Sequence, residues 1–180
     1  MTRTSTAYVI PRRRSIVALA LTLLLGGCMS DDGVNDPLPR MSREKAEEWA
    51  KHWTDSMVRT ARARTDPTTA RRTADFTDCI GRNGESAEDG RFTLSYSVRG
   101  TLPRSEHARA VTDIKDTLKD KGFDIQTFVV GEDTEPANVV DAKHPKDQQF
   151  VSVGSVDKDL LVFIVSTPCL LPPGVEQQEF

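Results

Sequence analysis

Histidine occurs only three times in 180 residues. His52, His107 and His144 are far apart, and none lies in an HExxH pattern. A zinc-type ligand pair on one helix face is therefore missing. Cysteine also occurs three times, at positions 28, 79 and 169, with no CxxC spacing. The stretch Val153-Gly154-Ser155-Val156-Asp157 holds one glycine where a nucleophile elbow needs two. Gly81-Arg82-Asn83-Gly84 lacks the lysine and the spacing of a phosphate loop. The acidic turns at Asp31-Asp32, Asp133 and Asp157-Lys158-Asp159 lack the glutamate and spacing of a calcium loop. These absences leave no local catalytic, metal or cofactor signature. Long apolar runs are missing as well. The longest, Ser15 to Leu25, is too short to cross a hydrocarbon core, which takes about 20 residues.

That short run has a telling context. Arg3 and Arg12-Arg13-Arg14 precede it, and the first acid is Asp31. A basic segment followed by an apolar one of about 7–15 residues is the pattern of an export signal. Gly26-Gly27 offers small residues for cleavage, and Cys28 follows them at once. Leu25-Gly26-Gly27-Cys28 resembles the lipobox of bacterial lipoproteins: an aliphatic residue, two small ones, then cysteine. The resemblance implies that Cys28 carries a diacylglycerol thioether and becomes the N-terminus after residues 1–27 are cut away. Two acyl chains anchor stably where one is marginal, at ~0.8 kcal/mol per buried CH₂. The expected location is the extracytoplasmic face of the cell membrane. Arg13-Arg14-Ser15-Ile16-Val17 also fits a twin-arginine signal, so both export routes stay open.

Removing 27 of 180 residues leaves 153, enough for one domain with a core. The cut takes four of the 24 basic residues and none of the 27 acids, moving the net charge from −3 to −7. An acidic chain argues against nucleic acid as a partner. It also argues against electrostatic adhesion to anionic lipid, so the acyl chains do the anchoring. With Cys28 acylated, Cys79 and Cys169 form an even pair in an exported chain, which reads as a disulfide.

Ser30 to Pro39 is rich in Asp, Pro and Gly and reads as a flexible tether. Ser42 caps a first helix, with Ala46, Trp49, Ala50, Trp53, Met57 and Ala61 on one face. Asp66-Pro67 is expected to end it. Trp49 and Trp53, one turn apart, read either as an aromatic ligand platform or as a core-facing stripe. Asp75–Ile80 and Phe92–Val98 read as a hairpin with a long loop, in which Asp89-Gly90 is a turn signal. Pro103 and Ser105 open a second helix that buries Val111, Ile114 and Leu118, supported by Ala108, with Gly122 past its end. Strands follow at Phe123–Val130 and Gln149–Val156, and a weaker one starts at Val139-Val140. Leu160–Val165 is apolar on both faces and reads as a central strand.

Strands in groups with helices set apart predict an α+β fold. The expectation is two layers, an antiparallel-rich sheet of four or five strands with two helices on one face. The organisation reads as a signal over residues 1–27, a lipidated tether over 28–40, one domain over 41–172 and a disordered tail over 173–180. The frame of lipobox, acidic tether, Trp helix, Phe76-Thr77-Asp78-Cys79 and Ser166-Thr167-Pro168-Cys169 is similar to small lipoproteins of actinobacteria. That similarity implies an envelope location and one disulfide, and carries no activity with it. The functional expectation is a non-catalytic module that binds an envelope protein or a small ligand. The alternative is an enzyme assembled only in the fold, for instance from acids among Glu85, Glu88 and Asp89.

Overall fold

A computed structural model describes residues 35–65, 72–131 and 137–180. The signal segment, Cys28, Asp31-Asp32, Asp66-Pro67 and Asp133 lie outside the described residues. The elements are α1 (Arg43–Ala61), β1 (Arg72–Asp78), β2 (Phe92–Thr101), α2 (His107–Asp120), β3 (Asp124–Val129), β4 (Val139–Lys143), β5 (Phe150–Asp157) and β6 (Leu160–Ser166). A single 3₁₀ turn, Arg104–Glu106, leads into α2. All six strands form one antiparallel sheet in the order β1-β2-β6-β5-β4-β3.

The class is α+β with an antiparallel sheet and two helices. The sheet has six strands where the sequence predicts four or five. The added strand is β4. Its sequence signal is two valines before His144-Pro145, yet it is laddered on both sides and buries Val140 and Ala142. Pairing from two neighbours outweighs a weak local preference.

Alternation builds the core. In β2, Phe92, Leu94, Tyr96 and Val98 are buried between more exposed Thr93, Ser95, Ser97 and Arg99. Their partners across the ladder, Val165 and Phe163, are buried too, as are Val151 and Val153 opposite those. Both helices pack on the sheet and on each other, α1 against β2 and β6, α2 against β3 and β4. The expected central strand is central: β6 lies between β2 and β5.

The helix ends carry the local physics. Ser42 Oγ accepts from the Lys45 N–H at 3.3 Å. Ala46, Ala50 and Ala61 are fully buried, small enough for α1 to lie close to the sheet. The helix stops at Ala61, with Arg62 left-handed at φ 59°, several residues before the expected stop at Pro67. Arg109 Nη2 donates to the freed Ala61 carbonyl at 3.0 Å, supplying a partner at the helix end. In α2, Val111, Ile114 and Leu118 are buried as expected, but Ala108 is exposed and Ala110 takes the inner position beside His107. Gly122 has φ 84°, the left-handed residue that ends α2.

Gly100 of β2 faces the exit of α1. An added Cβ would lie 3.1 Å from both the Ala63 Cβ and Phe163 Cε2. Gly100→Val should therefore overpack this contact and cost about 1–3 kcal/mol by urea denaturation. Cys79 and Cys169 form a disulfide across a sequence separation of 90 residues, with Cα atoms 6.0 Å apart. It ties the loop after β1 to the segment after β6. In a Cys28→Ala background, the unfolded, unreduced protein should show no reactive thiol. Reduction should cost about 2–4 kcal/mol; two reactive thiols before reduction would contradict the pairing.

Candidate functional site

The segment entering α1 and the segment leaving β6 cross each other. Proline has no N–H, so Pro37 and Pro39 leave this stretch short of donors. Its ladder is correspondingly brief: the Met41 N–H donates to Leu171 O at 3.0 Å, and the Leu171 N–H to Pro39 O at 3.0 Å. Side chains make up the difference. Gln177 Oε1 accepts from the Leu38 N–H at 2.9 Å, and its Nε2 donates to Asp36 O at 2.9 Å. Arg40 Nη1 donates to Val175 O at 2.6 Å, and Asn35 Oδ1 accepts from the Phe180 N–H at 3.0 Å. Within residues 173–180, expected as a disordered tail, Gln177 and the Phe180 N–H thus bond to the entry segment.

Among the hollows around the crossing, two have largely apolar walls. The larger, about 600 Å³, opens between the entry segment, α1 and the β4–β5 turn. Met41, Trp49, Pro168 and Leu170 give it an apolar wall; Lys146, Asp147 and Gln149 stand on its rim. The rim turn has its own lock. His144 Nδ1 lies 3.1 Å from Asp147 Oδ2 and 3.2 Å from the Asp147 N–H. Gln148 is left-handed, with φ 55°, and its Nε2 donates to Pro145 O at 2.7 Å. The two tryptophans divide the roles that the sequence left open. Trp53 packs edge-on to buried Phe123, with centroids 5.3 Å apart. Trp49, half-buried, lines the hollow. An apolar wall with a mixed polar rim suits an amphipathic ligand.

The smaller hollow, about 270 Å³, lies beside the disulfide. Leu38, Cys79, Ile80, Cys169, Arg91 and Phe180 line it. Arg91 is 2 % exposed and forms an ion pair with buried Asp89. Its Nε donates to Asp89 Oδ1 at 2.8 Å and Oδ2 at 3.0 Å; Nη2 donates to Asp89 and to the Gln178 carbonyl. The Gln178 N–H adds a bond to Asp89 Oδ2 at 3.0 Å. The Arg91 guanidinium, with these backbone donors, holds the Asp89 carboxyl well below the usual carboxylate range despite burial. Phe180 lies over the guanidinium, 4.3 Å from its carbon. Arg91 Nη1 is buried and has no protein partner. Leaving such a donor unsatisfied costs about 1–3 kcal/mol or more.

Other candidates are placed plainly. His52 is exposed on α1. His107 is fully buried. Its Nε2 lies 2.8 Å from Leu102 O, an acceptor only, so that nitrogen carries the proton. Nδ1 then accepts from Ser155 Oγ at 2.8 Å. The pair joins the start of α2 to the irregular end of β5. Residues 48 apart meet here, so no motif scan finds them. Glu85 Oε2 accepts from the Asn83 N–H at 2.7 Å and serves its own turn. Glu88 is exposed, and Asp89 is committed to Arg91. Among the described residues, no group of three or more His, Cys, Asp or Glu side chains is placed to hold a metal ion. No helix among them is long and apolar enough to cross a membrane.

Breaking a buried pair from one side leaves an uncompensated charge. Asp89→Asn should cost about 3–5 kcal/mol by urea denaturation at neutral pH. Because the folded-state pKa is depressed, the pair's contribution is full above the unfolded value of ~4 and is lost as pH falls below it toward the folded value. The difference between wild type and variant should therefore shrink in acid. No protein-family model matches the chain, and neither a curated protein nor a solved structure matches it.

Proposed function

We propose that the protein is a lipid-anchored binding module of the cell envelope, held by acyl chains on Cys28 at the extracytoplasmic face of the membrane and acting without catalysis. The lipobox-like Leu25-Gly26-Gly27-Cys28 and the basic, then apolar, segment before it support the anchor. The observation that carries the binding role is the Trp49 hollow at the point where the chain enters the domain. Six residues lie between Cys28 and Asn35, so the seven Cα steps reach at most about 25 Å at ~3.5 Å each. The entry-segment edge of the hollow, at Asp36 and Pro37, therefore stays close to the membrane plane. Its partner is an envelope protein or small ligand with an apolar body and polar ends.

An enzymatic reading has one arrangement to build on, the Ser155–His107 hydrogen bond. Both imidazole nitrogens are engaged and the ring is fully buried, which favours a structural clasp. Ser155→Ala should then lower the melting temperature by several degrees, as expected for an unsatisfied buried acceptor worth about 1–3 kcal/mol. For the anchor, wild type and Cys28→Ala are partitioned between detergent and water. Wild type should enter the detergent phase and the variant the aqueous phase. Equal release of both into the aqueous phase would contradict lipidation.

A further inference from the structure

We propose that the Trp49 hollow takes a neutral oligosaccharide, with a pyranose ring against the indole and its hydroxyl groups on the polar rim. The inference rests on the reading of that hollow as the binding site and narrows its ligand to one chemical class.

A chain of rings braces the two sides of the hollow. Trp49 meets Trp53 with centroids 6.2 Å apart, Trp53 meets Phe123 at 5.3 Å, and Phe123 meets His144 at 5.0 Å. Each spacing falls in the range of about 4.5–7 Å where aromatic pairs attract. His144 then carries the rim turn. Its N–H donates to Gln149 O at 2.9 Å, and its carbonyl accepts from the Gln148 N–H at 2.9 Å. An apolar indole and a polar turn are thus held in a fixed relation, which spares a ligand the cost of ordering them. Among the described residues, Arg91 Nη1 is the one buried side-chain nitrogen or oxygen without a partner. Trp49 Nε1 and the Gln149 amide also lack partners among those residues, so they reach solvent.

The rim selects the ligand. Among the described residues, the side chains of Asp36, Lys146 and Gln149 make no hydrogen bond or ion pair. They present a carboxylate acceptor, an ammonium donor and an amide that is both. At about 30 Å³ per water, the hollow of about 600 Å³ holds roughly twenty waters. An alkyl chain would displace those waters and leave the three polar groups without replacement bonds. A saccharide replaces them: its hydroxyls donate to Asp36 and accept from Lys146, Gln149 and Trp49 Nε1. The ring supplies the other half of the fit. The C–H faces of a pyranose are apolar and slightly positive, complementary to the electron-rich indole face. Asp36 and Lys146 carry opposite charges, and Asp147 already faces His144. A net charge on the ligand therefore gains from one rim group and loses to another, whereas a neutral ligand loses to neither.

The test uses the exported protein in phospholipid nanodiscs, with empty nanodiscs as the blank. The probes are cellotriose, maltotriose and triacetylchitotriose, titrated by calorimetry. Octane-1,8-diol is the comparison, a neutral molecule with an apolar body and polar ends but no ring. One saturable site is expected for at least one trisaccharide, with the diol at least tenfold weaker. Trp49→Ala should abolish that binding, and its folding is checked by melting. Gln149→Ala alters only a rim side chain; it should keep the melting temperature and weaken the trisaccharide at least threefold. No saturable trisaccharide binding up to millimolar concentration would overturn the proposal. So would equal binding of trisaccharide and diol, or trisaccharide binding that Gln149→Ala leaves unchanged. Diol binding alone, lost in Trp49→Ala, would overturn the saccharide and leave the hollow as a binding site; binding of neither would count against both.

Discussion

The fold depends on β6 pairing with β2. The chain builds β1 and β2 early and β3, β4 and β5 late, and only the last strand joins the two groups. Ser95–Thr101 must meet Leu160–Ser166 in antiparallel register, across some 60 residues. Such a long-range contact repays its loop entropy only if the buried area is large. Tyr96, Val98, Phe163 and Val165 supply that area, each under 4 % exposed. Once β6 is seated, the chain beyond it is committed to run beside β2. The Phe92 N–H donates to Leu170 O at 2.9 Å, the Leu170 N–H returns a bond at 2.7 Å, and the disulfide closes the same corner.

The two hollows follow from that commitment. The segment after β6 meets the segment before α1, and neither can lie flat. Prolines 37, 39, 168, 172 and 173 deny it a continuous ladder. What remains is a short crossing held by Gln177, Arg40 and Asn35, with open space around it. Leu38 lines both spaces. The entry segment, the C-terminal segment and the candidate sites are thus one feature of the chain, seen from different sides.

Local patterns made much of the fold legible. Alanines and Met57 at helical spacing marked the inner face of α1, unbroken apolar character marked β6 as central, and Gly122 marked the end of α2. Cysteine parity identified the disulfide. Where the sequence misled, a tertiary partner had overruled a local signal. β4 starts at Val139, where the two valines place a weak strand, and it is a full member of a six-stranded sheet because β3 and β5 flank it. The phase of α2 is set by His107, drawn inward by Leu102 and Ser155, which puts Ala110 inside and Ala108 outside. Asp89-Gly90 is a turn, with Gly90 at φ 70°, but nothing local says that its aspartate will be buried against Arg91. The Trp49 hollow and the Arg91 hollow draw on residues more than 100 positions apart, beyond the reach of any motif.

The central functional claim is that this domain binds through the crossing and not through the opposite side of its sheet. A photo-crosslinking amino acid placed at Gln149, on the rim of the Trp49 hollow, tests it in intact cells against the same probe at Ser95, exposed on the sheet face away from the helices. The account predicts a discrete adduct from position 149 that is absent from position 95 and is lost when Trp49 is changed to Ala. The same adducts from both positions, or none from position 149, would contradict it.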